Sequence, residues 1–437
     1  TGPTVLLPVA LSFETLGINI YSAGIVFGLY FSLCIIFLVI IVIKSEGRKC
    51  VIIGLISLVF TPYLFRWALG GYGEFPTLFF LLLSVLLLEK WFANRFKILF
   101  LFLSGIAAGF AFLTKVIAFL HVIGLTITII ILSTFQKKVK KSWIFLLGFF
   151  TPVILWEIYK FCVLYKIYGT SEAYVEWWKV MMKGIIEKGR GTTGGFFFFI
   201  NRFSQNIAEI SKILKVSKYI LIFTIFLSLG YYLMDVINAF KRGFLDGRIV
   251  LRLSLFTLTF FHFIWWLFVS PVPWFRRVIM AVVLWKMAIL PSTILFLGKC
   301  VWNKKVKSFK EALKKCISII FLIICVRGML TLDMKLITWN FSPTPKLTAQ
   351  KKMAKLIQML PEDVEILTYS WWQCPDISFL SGRTFKDITN PQVQHEIEEK
   401  VSYVCLGEEQ KFLSPQSYRA IKNSMIGKKV AEEGNYE

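Results

Sequence analysis

One carboxylate and four basic residues flank apolar runs that are long enough to cross a bilayer, and they could together hold an anionic substrate. Glu74 lies in GYGEFP, after a Gly-Tyr-Gly turn and before Pro76, a pattern that favours the start of a helix. A carboxylate there could act as a general base or a substrate contact. The alternatives are simple stabilisation by the helix dipole, worth up to about 1 kcal/mol, or pairing with Arg66, which begins the same stretch.

Two adjacent arginines form a second group. The sequence SPVPWFRRVIM places Arg276 and Arg277 at the start of an apolar run, directly after Trp274 and Phe275. A guanidinium presents a fork of donors that suits phosphate oxygens and stays charged in apolar surroundings. We therefore predict that the arginines bind a specific lipid phosphate and that the two aromatic residues lie among lipid headgroups. Binding of bulk lipid headgroups is the alternative.

Five further residues could contribute. Lys115, in FLTKVIAF, is predicted either to extend its ammonium to the membrane interface or to add a positive group beside a phosphate leaving group. Trp371 and Trp372 could stack on a sugar or pack against the membrane face of the outer domain. His121 and His262 are lone residues in apolar runs, which favours structural hydrogen bonds over metal ligation. No metal spacing of the CxxC kind occurs, and the sequence leaves open whether a divalent cation is a cofactor.

The elements that must position these residues are membrane helices. The chain has 437 residues, of which 56% are hydrophobic and 16% aromatic, and a soluble core cannot hide that much apolar surface. We expect an all-α polytopic membrane protein. Ten apolar segments are predicted to span the bilayer, over 19–43, 50–65, 75–92, 98–114, 117–135, 142–165, 218–240, 249–270, 277–298 and 316–334.

The basic residues are sorted onto alternate connections. They are crowded in 44–49, 90–97, 137–141, 241–252 and 299–315, whereas the short connections in between hold only Arg66, Lys115, Arg276 and Arg277. Lys and Arg are retained on the cytoplasmic side, so these four residues are predicted to lie outside. Ten spans leave both chain ends outside, and since the chain begins with Thr1 and not Met, we expect a further span upstream.

The net charge of +24 follows the same pattern. Because most of the excess lies in loops beside the membrane, anionic lipid headgroups account for it. The lipid bilayer is therefore an expected partner, and a nucleic acid partner is excluded.

Three regions are predicted. Residues 1–18 are short and interrupted by proline, which suggests a juxtamembrane segment on the outer side. Residues 19–345 form the transmembrane domain, whose outer connection 166–217 contains an amphipathic helix at the membrane surface. Residues 346–437 form a small α/β domain outside the membrane, in which a disulfide between Cys374 and Cys405 is left open. Its predicted helices cover 346–360, 392–401 and 414–425, and its strands 365–369 and 403–406, with the start of a last strand at 430–437.

The chain resembles membrane-embedded glycosyltransferases of the GT-C fold, in particular the dolichyl-phosphate-mannose-protein mannosyltransferase-like branch. The resemblance covers nearly the whole chain through the order of the spans and through TGPTVLLPVAL, LGINIYSAGIV, GYGEFPTLFFLLLSVLLL, SGIAAGFAFLTK and DVEILTYSWWQCPDISFLSGRTF. Gly24 departs from it, because the family often has Arg at that position.

This resemblance implies an enzyme that transfers a hexose or pentose from a polyprenyl-phosphate sugar donor to a protein, lipid or glycan acceptor. The reaction would be a single inverting displacement on the outer side of a prokaryotic plasma membrane. The family's catalytic Asp would precede Thr1, so Glu74 is the best acidic site residue of this chain. The substrate contacts would be Arg66, Lys115, Arg276, Arg277, Trp274, Trp371 and Trp372. The rival functions are a transporter or flippase of lipid-linked glycans and a noncatalytic membrane scaffold.

Overall fold

The computed structural model describes residues 2–17, 20–61, 64–69, 72–93, 97–135, 142–189, 195–214, 216–242, 246–270, 274–302, 309–329, 345–362, 364–368, 378, 381–383, 385–387 and 402–405. The chain forms two units. The first comprises 1–15 and 23–340, and the second comprises 16–22 and 341–437.

The described part of the chain up to residue 340 is built from helices. They are α1 (Pro3–Leu16), α2 (Ile20–Ser45), α3 (Arg48–Val59), α4 (Leu64–Leu69), α5 (Glu74–Ala93), α6 (Ile98–Thr114), α7 (Ala118–Phe135), α8 (Trp143–Tyr168), α9 (Glu172–Gly189), α10 (Gly195–Leu214), α11 (Lys218–Lys241), α12 (Gly247–Phe268), α13 (Ile279–Leu284), α14 (Leu290–Trp302) and α15 (Phe309–Met329). A 3₁₀ turn (Phe275–Arg277) precedes α13, and a π-helical segment (Trp285–Ile289) joins α13 to α14.

Within the described ranges, seven helices are long and apolar enough to cross a membrane. They are α2, α5, α7, α8, α11, α12 and the continuous helix Ile279–Trp302. This confirms an integral, polytopic membrane protein. Each of the ten predicted segments contains a helix, but only seven of these helices are both long and apolar enough. Of the other three, α6 has 17 residues, α15 begins with the charged sequence FKEALKK, and α3 has only 12.

The predicted span over 50–65 is therefore wrong as one continuous helix. Twelve residues extend over about 18 Å, well short of a hydrocarbon core about 30 Å thick. Helix α3 ends at Val59, and α4 begins only at Leu64. Pro62 follows Thr61 in the sequence and disfavours helical backbone at Thr61, which is the local reason for the interruption.

Small residues let α6 and α8 approach closely. A Cβ added to Gly105 would lie 2.1 Å from the carbonyl oxygen of Phe145, and one added to Gly148 would lie 2.2 Å from that of Phe102. Gly105 and Gly109 have the GxxxG spacing that permits such contact between membrane helices. This close pair fixes the position of Thr114, the last residue of α6, and so of Lys115 after it.

Charged residues predicted to be cytoplasmic do lie at one end of the bundle. Glu46, which follows α2, accepts hydrogen bonds from Arg252 at 2.8 Å, from Tyr232 at 2.8 Å and from Ser292 at 2.9 Å. Lys44 pairs with Glu89, at the end of α5, at 3.0 Å. Lys44, Glu46, Glu89 and Arg252 lie at or near helix ends beside crowded basic connections, which agrees with the predicted sorting, whereas Tyr232 and Ser292 lie farther inside their helices.

The outer connection contains helices. Residues predicted to form an amphipathic helix lie in α9, and its position at a membrane surface stays a prediction. Helix α10 packs on α12, because Phe203 stacks on Phe268 with ring centroids 5.2 Å apart and Asn206 donates to the Trp266 carbonyl at 2.6 Å. Residues 190–194 of the glycine-rich stretch lie outside the described part of the chain.

The second unit has α/β character. It contains α16 (Pro345–Gln358) and three parallel strands, β1 (Glu365–Thr368), β2 (Phe385–Asp387) and β3 (Ser402–Cys405), in the order β2-β1-β3. The strands predicted over 365–369 and 403–406 match β1 and β3, and β2 was not predicted. The predicted elements at 392–401, 414–425 and 430–437 lie outside the described residues. The domain boundaries after residues 18 and 345 stay predictions.

Candidate active site

Glu74 begins α5, as the sequence predicted. Pro76 fits in the first turn because the first four amides of a helix have no partner within it. The carboxylate is 1% exposed, and its Oε1 accepts a hydrogen bond from the Lys115 ammonium. Glu74 Oε2 is also buried, and no group in the described part of the chain forms a hydrogen bond with it. One carboxylate oxygen is thus held by a cation while the other stays open as an acceptor.

Lys115 lies in the connection between α6 and α7, where the backbone is extended. Its side chain does not simply reach towards solvent, because it forms an ion pair with Glu74. Burial lowers the pKa of Lys115, the charge of Glu74 opposes this, and the charges of Arg276 and Arg277 lower the pKa further. The charges of the other three groups thus act on Lys115, which contacts Glu74 directly. We call these four groups the Glu74 cluster.

The two arginines are presented by the 3₁₀ turn, which we call the arginine turn (Phe275–Arg277). The Arg276 guanidinium carbon lies 4.6 Å from the Tyr72 ring centroid and 4.5 Å from that of Trp274, and the Arg277 guanidinium carbon lies 5.4 Å from the Trp274 ring. Such cation–π contacts hold a guanidinium without neutralising it. The arginines therefore keep their charge available to an anion.

The aromatic residues before the arginines behave differently from each other. Trp274 is 48% exposed, in keeping with its predicted role as an interface residue. Phe275 is buried, and its ring lies 4.9 Å from that of Trp67, so the prediction that Phe275 lies among headgroups is wrong. The reason is that the arginine turn directs Phe275 inwards against α4, which anchors the turn to the bundle.

The charge balance of the cluster is positive. Burial lowers the pKa of Arg277, and Arg276 lowers it further, while Glu74 opposes the change. Three cations face one carboxylate, and that carboxylate is already paired with Lys115. An added anion would relieve the repulsion among the cations, so the cluster is suited to bind one.

The side chains of three predicted site residues lie outside the described part of the chain. Arg66 lies on α4, whose Trp67 contacts the arginine turn, but the Arg66 side chain lies outside the described part of the chain. Trp371 and Trp372 also lie outside it. The contributions of these three residues stay predictions.

The start of the chain packs against the end of α6, next to Lys115 in the sequence, which sequence reasoning missed. The Gly2 amide donates to the Thr114 carbonyl at 3.2 Å, and the hydroxyls of Thr4 and Thr114 lie 2.6 Å apart. A Cβ on Gly2 would lie 1.5 Å from the Leu113 carbonyl oxygen, so only glycine fits this approach. The TGPT sequence contains the glycine and threonine that make these contacts. It does not indicate that their partner is Thr114, which lies 110 residues from Thr4.

The two histidines are not lone residues, contrary to the prediction. His262 Nδ1 lies 2.9 Å from His121 Nε2, and His262 Nε2 lies 2.6 Å from the carbonyl oxygen of Arg277. Their predicted structural role is thus correct, but with each other as partners. In the described ranges, no group of three or more His, Cys, Asp or Glu residues could hold a metal ion.

Lys286 is a second residue that sequence reasoning missed. It is fully buried in the π-helical segment, and its ammonium donates to the Ser57 carbonyl at 3.4 Å. The signal was a lysine within a long apolar run, since ionisable residues inside membrane spans are costly and usually have a function.

No model of a known protein family and no curated protein sequence matches the chain. Among solved structures it is similar to ArnT from Cupriavidus metallidurans bound to undecaprenyl phosphate, with a TM-score of 0.60 and 11% identity, over 100% of this chain and 86% of that one. AglB, the oligosaccharyltransferase from Archaeoglobus fulgidus, in complex with an inhibitory peptide and a dolichol-phosphate, aligns with a TM-score of 0.41 and 12% identity, over 90% of this chain and 56% of that one. The ArnT match confirms the predicted architecture, and the chain therefore has the GT-C fold of polytopic membrane glycosyltransferases.

Proposed function

We propose that this protein transfers a sugar from a polyprenyl-phosphate donor to a protein, lipid or glycan acceptor on the non-cytoplasmic side of the membrane. The observation that carries the proposal is the Glu74 cluster, in which Lys115 pairs with a half-open carboxylate and the charges of Arg276 and Arg277 act on Lys115, on a GT-C fold. The ArnT structure, which has this fold, contains undecaprenyl phosphate. A prokaryotic plasma membrane is the location that the sequence resemblance favours.

In this proposal the arginine turn and Lys115 bind the phosphate of the donor. Arg276 and Arg277 offer fork-shaped donors to phosphate oxygens, and Lys115 adds a compact charge. Their charges stabilise the phosphate as it leaves with the electron pair of the broken bond between sugar and oxygen. Trp274 lies beside both arginines and would contact the start of the lipid chain.

Glu74 is the proposed carboxylate of the site. Oε1 is occupied by Lys115, so Oε2 is the atom that can accept a hydrogen bond from a substrate hydroxyl. As the acceptor oxygen forms its bond to the sugar carbon, its proton passes to a carboxylate, and Glu74 Oε2 is the candidate in this chain. Arg66, Trp371 and Trp372 are proposed as further substrate contacts.

Transport of a lipid-linked glycan is the rival function. A transporter would move its substrate intact, whereas a transferase consumes the donor and labels an acceptor. Membranes that contain the full protein should therefore be incubated with radiolabelled polyprenyl-phosphate sugars, and the protein, lipid and glycan fractions analysed for label. Label in none of the fractions, with the donor intact, would contradict the proposal.

The phosphate role predicts a specific effect of the arginines. Replacing Arg276 and Arg277 by Ala should raise KM for the donor roughly 10- to 100-fold per residue, because a hydrogen bond to a charged group contributes about 1.5–3 kcal/mol. The matched control is Arg248→Ala, which removes an exposed arginine from the other end of the bundle and should leave KM unchanged.

The role of Glu74 is tested in the same assay. Glu74→Gln keeps the shape of the side chain but removes its charge, and kcat should fall by about 100-fold or more, the usual size of a general-base contribution. Glu89→Gln, at the opposite end of the same helix, is the control. Equal kcat values in the two variants would remove Glu74 from the reaction.

A further inference from the structure

Two buried imidazoles connect α7 and α12 to the arginine turn. His121 on α7 and His262 on α12 are both fully buried. His262 lies between two partners, with Nδ1 2.9 Å from His121 Nε2 and Nε2 2.6 Å from the Arg277 carbonyl oxygen. The three groups form one continuous line of hydrogen bonds.

The position of each proton follows from the partners. The Arg277 carbonyl can only accept, so His262 Nε2 carries a hydrogen and donates it. A fully buried imidazole is favoured in its neutral form because burial of a charge is costly, and this leaves His262 Nδ1 as an acceptor. His121 Nε2 must then be the donor. The line therefore runs from α7 through α12 to the backbone of the arginine turn.

The bonded carbonyl belongs to a residue of the proposed phosphate site. Within the turn, the Arg277 amide donates to the Trp274 carbonyl at 2.9 Å and the Val278 amide donates to the Phe275 carbonyl at 3.0 Å. These local bonds shape the turn but do not attach it to the helices behind it. The bond from His262 does so, because its partner lies 15 residues away on α12.

We propose that His262, oriented by His121, is a positioning residue that holds the backbone of the arginine turn so that Arg276 and Arg277 face the phosphate. Neither histidine touches the substrate in this proposal. The structural link is independent of what the arginines bind, while its effect on catalysis rests on the proposed function.

A neighbouring pair on the same two helices provides a control. The hydroxyls of Thr128 on α7 and Thr257 on α12 lie 3.0 Å apart and are buried. Thr257→Val removes this interhelical hydrogen bond with almost no change of volume and no contact with the arginine turn. A role of the histidines in general helix packing would be shared by Thr257, whereas a positioning role would not.

Hydrogen–deuterium exchange of the purified full-length protein measures the link directly. In His262→Leu, the peptide that covers 274–280 should exchange about tenfold faster than in the wild type, the effect of losing one buried hydrogen bond. His262→Gln, whose amide nitrogen can replace Nε2 as the donor, should restore most of the protection, and Thr257→Val should not change it.

A second variant protects the test against misfolding. His121→Leu leaves His262 in place and removes only the group that orients it, so it should also speed exchange of this peptide, by a smaller factor. Exchange that is equal in the wild type, His262→Leu and His121→Leu would overturn the proposal.

The effect on donor binding can be measured separately from the effect on hydrogen–deuterium exchange. KM for a polyprenyl-phosphate sugar should rise in His262→Leu with little change in kcat, and His262→Gln should restore it. Faster exchange with unchanged KM would support the positioning role and contradict phosphate binding by the arginine turn.

Discussion

At the scale of single residues, the site depends on which charges burial brings together. Lys115 is a partly buried cation whose carboxylate partner is almost fully buried, and two guanidinium groups lie close to both. The pairing of Lys115 with Glu74 holds the ammonium in place and makes it part of the proposed phosphate site.

The lowered pKa of Lys115 predicts an alkaline limit to donor binding. Lys115 loses its proton at a lower pH than a lysine with the ordinary value of 10.5, so its charge, and with it the affinity for phosphate, is present at lower pH and falls as pH rises towards that value. KM for the donor should therefore rise with pH in the alkaline range.

Replacement by arginine tests the cause of this limit. Lys115→Arg keeps a positive charge at every accessible pH, so its KM should stay nearly constant where that of the wild type rises. Lys44→Arg, which alters the exposed ion pair with Glu89, should keep the wild-type profile. Parallel profiles for all three proteins would show that Lys115 does not carry the effect.

At the scale of elements, close contacts between helices determine where the helix ends that carry the Glu74 cluster lie. Helices α6 and α8 approach so closely that backbone carbonyls occupy the space of a missing Cβ at Gly105 and Gly148. Since α6 ends one residue before Lys115, a change in this contact would shift the ammonium relative to Glu74. The packing of two distant glycines thus affects the geometry of the cluster.

Adding a single methyl group at Gly148 should test the close contact between α6 and α8. In Gly148→Ala the new Cβ would meet the Phe102 carbonyl oxygen at 2.2 Å, so the helices must separate and the melting temperature in detergent should fall by several degrees, as expected for an overpacking cost of about 1–3 kcal/mol. Gly230→Ala on α11 is the matched control, because a Cβ there meets nothing within 4 Å. A similar melting temperature for both variants would contradict the close contact.

At the scale of the whole molecule, the first unit has two different charged ends. One end holds Glu46 within a network of Arg252, Tyr232 and Ser292, and the other presents the Glu74 cluster with its excess of cations. The first network is satisfied internally, so it stabilises the bundle. The second has a carboxylate oxygen without a hydrogen-bond partner in the described part of the chain and an excess of cations, which are the groups of the proposed substrate site.

The sidedness of these ends can be measured by cysteine labelling. In a chain whose native cysteines are replaced, Ser171→Cys, in the connection between α8 and α9, should react with a membrane-impermeant maleimide on intact cells. Arg248→Cys, just after the start of α12, should react only after permeabilisation. Both positions are exposed. Reversed labelling would place the Glu74 cluster on the cytoplasmic side and contradict the proposed site of reaction.

The sequence by itself determined the properties that depend on local composition. Runs of apolar residues predicted the membrane helices, and the alternation of basic connections predicted which helix ends lie together. Glu74, Lys115 and the two arginines could be selected because charged residues at the ends of apolar runs are costly without a role. The interrupted span at 50–65 was missed because hydropathy does not register where a helix ends.

Only the tertiary structure decided the partners. Glu74 pairs with Lys115, 41 residues away, and His121 meets His262, 141 residues away. Phe275 turns inwards to Trp67, although its neighbour Trp274 is exposed. The physical reason is that a side chain's partner depends on the distance and rotation between packed helices. Those are set by contacts such as Gly105 with Phe145, which the GxxxG spacing permits without identifying the partner.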